Sequence, residues 1–314
     1  MKIKYFSYGL LLGVVPLALL FFLFNRNGNV SGAGASVLVD TIGSHTISVT
    51  AVTPPTNVVL FGKQLPLLED WEVRERFERE FYYNLVNSDQ LILWWKRLGR
   101  WESMIDSSLD ANGLDRDLKY LMVAESGVRN VESPAKAHGF WQMIPPTAQR
   151  WGLRVDDDID ERLDPYKSTG AAIRYLATLK AQFNDYLLAC AAYNMSEDNV
   201  AEVLRYQHQT NYWNLYINEE TMRYVFRIAA IKELLEHGDR YGLKFGHVPR
   251  YSLHNVKSIS VNGPIESIAD WAVGLGYSYK DVKIYNPWLV SRRIPSGTFT
   301  ITVPADDTSR TTVR

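Results

Sequence analysis

The chain of 314 residues contains a single cysteine, Cys190, so it can form neither an internal disulfide nor a cysteine-based zinc site. It also lacks a charge excess, because 34 Lys and Arg against 35 Asp and Glu give a formal net charge of −1. This balance argues against a nucleic acid partner, since phosphate binding needs a strong basic excess. No His, Asp and Glu cluster has metal-ligand spacing, and no glycine-rich phosphate loop follows a strand. We therefore expect neither a metal nor another cofactor.

One long apolar run stands at the N-terminus. Lys2 and Lys4 precede an apolar stretch from Tyr5 to Phe24, about the length that a helix needs to cross a bilayer. The small-x-small triplet Ala33-Gly34-Ala35 leaves cleavage by a signal peptidase open. Because the lysines precede the run, the short N-terminus is expected in the cytoplasm and everything else outside. The sequence thus predicts a membrane anchor or a signal segment over residues 1–24.

The next part of the chain changes from a linker composition to a helical period. Residues 25–66 are rich in Gly, Ser, Thr and Val and contain Thr53-Pro54-Pro55-Thr56, which predicts a flexible linker. From Asp70 onward, apolar residues recur every three to four positions, as in packed amphipathic helices. This period predicts a helical N-terminal extension over residues 67–117 and a helical lobe over residues 118–245.

Past Gly246 the period changes again. Residues 256–261 and 298–303 alternate between apolar and polar like strands, and two short helical patterns lie between them. We predict a βααβ module over residues 252–304, followed by a tail over residues 305–314. The expected fold class is mainly α, with one small βααβ module at the C-terminal end.

Glu125 is the most informative residue of the helical lobe. An apolar stripe at i, i+3 and i+4 begins at Leu118, and its i+7 position is Glu125. Gly127 is a natural helix terminator, so Glu125 also lies at the negative end of the helix dipole. Desolvation and the dipole both raise the pKa of a carboxyl group, and a protonated acid is what cleavage of a glycosidic bond requires. On position alone, the alternative is a helix-end residue that faces water or pairs with Lys119 or Arg129.

Three further sequence motifs narrow this choice. Glu125-Ser126 is followed by Gly139-Phe140-Trp141-Gln142 within a stretch that continues to Thr147-Ala148, then by Ala192-Tyr193-Asn194, and then by Glu220-Thr221-Met222-Arg223-Tyr224-Val225. With these motifs the sequence resembles the SLT-type lytic transglycosylases, the lysozyme-like enzymes that cleave bacterial cell-wall glycan, and specifically their membrane-bound transglycosylase D-like branch. The similarity covers roughly residues 118 to 236.

The resemblance implies a lysozyme-like catalytic lobe and a role for each matched residue. Glu125 would be the single catalytic acid and base. Ser133 would help to hold the muramic acyl group, and Gln142 would line the glycan cleft. Tyr193 would hydrogen-bond the catalytic carboxyl, with Asn194 beside it to position substrate. The remaining substrate-binding positions expected are Ser126, Met143 and Tyr224.

The implied reaction cleaves the β-1,4 bond between N-acetylmuramic acid and N-acetylglucosamine and forms a 1,6-anhydro product, without a cofactor. Peptidoglycan strands would be the partner, and the expected location is the periplasmic side of the cell envelope, anchored by the N-terminal segment. A second carboxylate would instead give a hydrolysing muramidase. An inactive peptidoglycan-binding scaffold is the other alternative. The candidates for a second carboxylate are Glu132, Asp156, Asp157, Asp158, Asp160 and Glu161.

This sequence departs from the family pattern in two places. Lys136 and His138 stand where small residues are usual, and Met195-Ser196-Glu197-Asp198 replaces glycines expected after Tyr-Asn. Since glycine permits a positive φ and close approach of the backbone, these departures bear on the shape of the subsites. Trp141 could stack on a sugar ring or pack in the core.

The C-terminal module carries a second resemblance. Its βααβ order, with Asn286-Pro287-Trp288-Leu289 after the second helix, is similar to LysM modules, which bind chains that contain N-acetylglucosamine. The usual opening turn is replaced here by Val261-Asn262-Gly263-Pro264. The resemblance implies sugar binding that would raise the local glycan concentration, and a purely structural cap is the alternative.

Overall fold

The computed structural model describes residues 52–305, and within them it confirms the mainly α class. The helices are α1 (Trp71–Val86), α2 (Ser88–Ala111), α3 (Leu118–Ser126), α4 (Pro145–Arg150), α5 (Pro165–Phe183), α6 (Tyr186–Met195), α7 (Glu197–Tyr206), α8 (Glu219–Glu236), α9 (Ile268–Gly274) and α10 (Tyr279–Tyr285). The strands, in two antiparallel pairs, are β1 (Val59–Leu60) with β2 (Lys63–Gln64), and β3 (Val256–Ile265) with β4 (Ile294–Pro304).

Local sequence sets the ends of the helices. Asp164 and Asp185 cap α5 and α6, because each carboxylate accepts two backbone N–H groups of the first turn. Asn184 ends α5 and Gly127 ends α3, both in the left-handed conformation. The short connection between α5 and α6 makes these two helices neighbours in the lobe.

The core of the helical lobe forms around α8, which packs against α1, α3 and α6. Side chains of α8 are buried on several faces, as in a helix at the centre of a bundle. A buried ion network joins α1 to this helix, because fully buried Glu80 accepts hydrogen bonds from Arg223 at 2.5 Å and Arg227 at 3.4 Å. Pairing is what makes a buried carboxylate tolerable at this position.

The predicted linker extends too far, because its last residues are folded. Val58, Leu60 and Leu65 are almost fully buried, and the β1–β2 hairpin covers one end of the helical lobe. The Phe61 amide donates to the Asp117 carboxylate at 2.8 Å, which fixes the hairpin to the start of α3. The stretch is rich in Gly, Ser, Thr and Val and shows no sustained helical period, which is why the sequence pattern indicated a linker.

The predicted anchor or signal segment at 1–24, the first part of the linker and the tail from residue 306 onward lie outside the described residues. None of the helices within residues 52–305 combines the length and apolar character of a bilayer span.

The C-terminal module has the predicted βααβ order. β3 and β4 pair in antiparallel register from Val256 opposite Pro304 to Gly263 opposite Gly297, and α9 and α10 cover the pair. Fully buried Asn286 joins α10 to β4, since its amide donates to the Thr302 carbonyl at 2.6 Å and accepts from the Thr302 amide at 2.8 Å. The module therefore has its own core and its own internal polar anchor.

An acidic stretch of the helical lobe holds the module in place. Arg293 forms a two-pronged ion pair with Asp158, at 2.9 and 2.8 Å. The Asp160 amide donates to the Trp288 carbonyl at 2.8 Å, and Ile159 is buried in the core of the module. The 156–161 segment, which resembles a solvated loop in the sequence, is thus an interface between the two parts of the structure.

Candidate active site

Glu125 lies in the last turn of α3, as predicted, and is partly buried. The phenol of Tyr224, on α8, donates a short hydrogen bond to its Oε1 atom. Burial raises the pKa of Glu125 to about 7, although the Tyr224 hydrogen bond and the positive charge of Arg227 act in the opposite direction. The nearby charge of Glu220 adds to the rise. This environment gives a carboxylic acid that is poised to donate and accept a proton near neutral pH.

Neither of the ion pairs considered as alternatives for Glu125 forms. The Lys119 ammonium group instead bonds Glu102 at 2.8 Å and Asp106 at 3.2 Å. Arg129 directs its guanidinium group to the Ser126 carbonyl at 3.4 Å. Glu125 is therefore left with a neutral phenol as its direct partner.

Gly127 is required immediately after this acid. Its φ of 58° ends α3 in the left-handed region. A Cβ atom at this position would overlap the Trp94 indole, so the site also lacks room for a side chain. The glycine that ends the helix thereby allows Trp94 to pack directly against the turn that carries Glu125.

The prediction that Tyr193 hydrogen-bonds the catalytic carboxyl is wrong. Its hydroxyl donates to the Trp141 carbonyl at 2.7 Å, and Tyr224 bonds Glu125 instead. Burial raises the pKa of the Tyr193 phenol, and the charge of nearby Glu125 adds to the rise. The sequence motif placed the correct helices around the acid, but it did not fix which of two phenols faces the carboxyl.

Asn194 is tied to the helix that carries Tyr224. Its side-chain oxygen accepts a hydrogen bond of 2.6 Å from the Thr221 hydroxyl, at the start of α8. Three of the four sequence motifs therefore meet in one place, because α3, α6 and α8 bring together Glu125, Tyr193, Asn194 and Tyr224.

The other predicted positions lie on or support the loop between α3 and α4. Gln142 has a φ of 47°, and its amide donates to the Gly139 carbonyl at 2.7 Å. The Ser126 hydroxyl donates to the Phe140 carbonyl at 2.8 Å, and the Ser133 hydroxyl accepts from the Ala137 amide at 3.1 Å. These polar groups shape the loop, and their contacts with substrate stay predictions. Met143 is 3% exposed and belongs to the core.

Trp141 packs in the core. Its ring is fully buried, and its indole N–H donates to the Thr169 hydroxyl at 2.9 Å. A ring in this position has no face free for a sugar, so the packing alternative holds.

Two residues that replace small residues or glycines of the family pattern have a positive φ angle. Lys136 has a φ of 64° and Ser196 a φ of 82°, both in the region that favours glycine. Ser196 also caps α7 by accepting from the Asn199 amide at 3.4 Å. The His138 Nδ1 atom lies 3.3 Å from a carboxylate oxygen of Asp160. His138 therefore contacts the acidic segment that packs against the C-terminal module.

Arg227 was missed by the sequence reasoning. It lies one helical turn beyond Tyr224 on α8, and its charge acts on Glu125 while its side chain is held by Glu80. The i, i+3 spacing from Tyr224 was the available signal. Within residues 52–305 no group of three or more His, Cys, Asp or Glu could hold a metal ion.

Protein-family profiles match both the helical lobe and the C-terminal module. The transglycosylase SLT domain profile matches residues 103–216, and the profile of the soluble lytic transglycosylase C-terminal LysM-like domain matches residues 257–307. The chain thus carries an SLT domain followed by a LysM-like domain, which confirms both resemblances.

Two curated relatives and one solved structure are similar to parts of this chain. Membrane-bound lytic murein transglycosylase D of Escherichia coli K12 is 29% identical over 190 residues, and the protein of that name from Escherichia coli O6:H1 gives the same values. The alignment spans 58% of this chain and 41% of the relative, so this chain is homologous to less than half of that protein. The X-ray structure of an inactive form of lytic transglycosylase Slt from Pseudomonas aeruginosa aligns with 45% of this chain and 24% of that one, at 18% identity and a TM-score of 0.35.

Proposed function

We propose that this chain is an exported peptidoglycan lytic transglycosylase that cleaves the β-1,4 bond between N-acetylmuramic acid and N-acetylglucosamine. The observation that carries the proposal is Glu125, a partly buried acid with a pKa raised to about 7 and a phenol as its direct partner. The SLT domain match supports the same reaction class.

In the proposed reaction Glu125 acts twice. Protonated Glu125 first donates to the oxygen that bridges the two sugars, so the bond from the muramic C1 to that oxygen breaks. The resulting carboxylate then takes the proton of the muramic C6 hydroxyl, whose oxygen attacks C1. The product is a 1,6-anhydro sugar, and Glu125 has regained its proton without the entry of water. A pKa near 7 suits both steps, since the group must release and recover a proton at similar cost.

The ion pairs of three candidate second carboxylates, Asp156, Asp158 and Asp160, support this reaction over hydrolysis. A muramidase needs a second carboxylate, free to act on the opposite face of the sugar. Asp158 is instead paired with Arg293, and Asp160 with Arg162 at 2.7 Å. Asp156 is occupied by Arg154 at 2.5 Å and by the amides of its own turn. These acids serve structure and docking of the C-terminal module.

The remaining roles are proposed from the positions of the side chains. Tyr224 orients the carboxyl of Glu125, while Tyr193 supports the loop through Trp141. Asn194, held by Thr221, offers its amide to the N-acetyl group of the substrate. The loop residues Ser133 and Gln142 shape the wall of the glycan cleft, and buried Ser126 and Met143 support that loop from behind.

The envelope location and the sugar-binding module belong to the same proposal. The E. coli relatives are named as membrane-bound, and residues 1–24 carry an apolar run of bilayer length. We place the chain on the periplasmic side of the envelope, anchored by this run, with the LysM-like module binding glycan beside the catalytic lobe.

The test is mass analysis of soluble products from purified sacculi. The wild-type chain should release muropeptides that end in 1,6-anhydro-N-acetylmuramic acid, and Glu125→Gln should release none while remaining bound to the sacculi. Glu202→Gln, an exposed substitution on α7, is the matched control and should cut normally. Reducing-end products would show a muramidase, and the absence of soluble products from the wild-type chain would show a scaffold.

A further inference from the structure

The interface between the helical lobe and the LysM-like module contains a cavity of about 740 Å³, a volume typical of a binding site for a small ligand. Its walls come from α2, the loop after α3 and the start of α5 on one side. The segment before β3, the end of α10 and β4 close the other side. Glu125 is not among the residues that line this cavity, so it is distinct from the proposed catalytic site.

The cavity carries an uncompensated positive charge. Arg97, Arg100 and Arg129 all line it, and none of them forms an ion pair with a carboxylate in the part of the chain from 52 to 305. Each donates a hydrogen bond to a backbone carbonyl, and its remaining N–H groups are available to a ligand. The three acceptors are the carbonyl oxygens of Gly127, Ser252 and Ser126, at 3.0, 2.9 and 3.4 Å respectively.

The acid that lines the cavity does not neutralise these arginines. Asp164 accepts the amides of Tyr166 and Lys167 as the cap of α5. Lys167 in turn pairs with Glu161 at 2.5 Å. Burial, and then the like charge of Arg129, lower the pKa of Arg97.

Aromatic rings supply the rest of the wall. Trp101 contacts Tyr166 edge-on with ring centroids 5.9 Å apart, and Trp288 and Tyr285 face them from the module. Tyr251 packs under Arg100, with the guanidinium carbon 5.4 Å from the ring centroid. Flat rings next to guanidinium groups suit a ligand that carries both carboxylates and short aliphatic segments.

We propose that this cavity binds the acidic stem peptide of a murein strand, with its carboxylates on Arg97, Arg100 and Arg129. The assignment rests on the proposed function, because it takes murein as the substrate. In an intact strand the lactyl carboxyl of muramic acid is consumed in the amide bond to the peptide, so the free carboxylates of murein belong to its peptides. An uncharged glycan would leave the three arginines without partners.

Such a site has a functional consequence. Peptide binding between the lobe and the module would hold a strand that still carries its stems, in addition to whatever the catalytic cleft and the LysM-like surface contribute. Strands with peptides would then be bound more tightly than naked glycan, while the chemistry at Glu125 would be the same for both.

The experiment is calorimetric titration of the full-length chain with a stem tetrapeptide released from murein. The wild-type chain should bind the peptide, and amidation of its carboxyl groups should weaken binding. Arg100→Gln and Arg129→Gln should each weaken binding roughly tenfold, the usual loss for a charge-assisted hydrogen bond. Arg205→Gln, which removes an exposed arginine of α7 outside the cavity, is the matched control and should bind like the wild type.

Arg129→Gln keeps the test valid if Arg100→Gln loosens the module, because Arg129 is exposed and its hydrogen bonds go to Ser126, in the helical lobe. Equal peptide affinity in the wild type and Arg129→Gln would overturn the proposal. The proposal would also be overturned if the wild-type chain bound the uncharged glycan tetra-N-acetylchitotetraose and Arg100→Gln and Arg129→Gln both lost that binding. The proposed function fails separately: peptide binding that depends on the arginines, in a chain that releases nothing from sacculi, refutes the enzyme and leaves the peptide site standing.

Discussion

Replacement of Glu125 by glutamine should stabilise the folded chain at alkaline pH. Burial raises the pKa of this carboxyl from its ordinary 4.5 to about 7 in the folded state. Between these values the folded chain binds the proton more tightly than the unfolded chain, so the free energy of unfolding of the wild type falls as the pH rises. At roughly 1.4 kcal/mol per pH unit, the window corresponds to at most about 3 kcal/mol. Glutamine resembles the neutral acid and does not titrate, so the variant avoids this loss.

Urea unfolding followed by tryptophan fluorescence measures the difference. At about pH 4, below both pKa values, Glu125→Gln and the wild type should be equally stable. At about pH 8 the variant should be more stable by up to about 3 kcal/mol. Glu202→Gln removes one exposed carboxylate and controls for net charge. If Glu125→Gln shows no gain over the wild type at about pH 8, the carboxylate is well solvated and the argument from burial fails.

Three further substitutions test particular contacts. Tyr224→Phe removes a hydrogen bond that lowers the pKa of Glu125, so the alkaline limb of the pH–rate profile on murein should move to higher pH. The rate should also fall roughly tenfold. An alkaline limb at the wild-type pH would contradict the contact between Tyr224 and Glu125. Gly127→Ala should destabilise the chain by about 2–4 kcal/mol in urea, because the left-handed φ and the Trp94 indole both oppose a side chain, and a neutral result would contradict the packing. Asn286→Ala leaves buried backbone groups without partners and should cost about 2 kcal/mol or more, seen as a lower urea midpoint; an unchanged midpoint would show that water replaces the amide.

Hydrophobic period was sufficient to predict a helical lobe and the βααβ order of the C-terminal module. It also located Glu125, because an acid on an apolar stripe at a helix end is a rare pattern. The same reasoning applied to α1 finds Glu80 beside Phe77 and Phe81, yet this carboxylate is consumed by two arginines of α8. An acidic residue on the apolar face of a helix is therefore expected to be buried. Only the sequence motifs that accompany it distinguish a catalytic acid from one in a structural ion pair.

Contacts between distant elements could not be predicted from the sequence. Tyr193 and Tyr224 are both phenols on helices that pack near α3, and the choice between them depends on helix rotation by less than one turn. The docking of Asp158 on Arg293 joins residues 135 positions apart, beyond any local pattern. The hairpin before α1 was missed because its burial depends on the tertiary contact with Asp117.

The proposed reaction requires the folded chain to keep a proton on Glu125 near neutral pH. The direct measurement is a pH titration of the side-chain carboxyl carbon by NMR in chain labelled with ¹³C at glutamate, with Glu125→Gln to assign the signal. We expect a midpoint near pH 7 for this carboxyl. A midpoint near the ordinary value of 4.5 would contradict it.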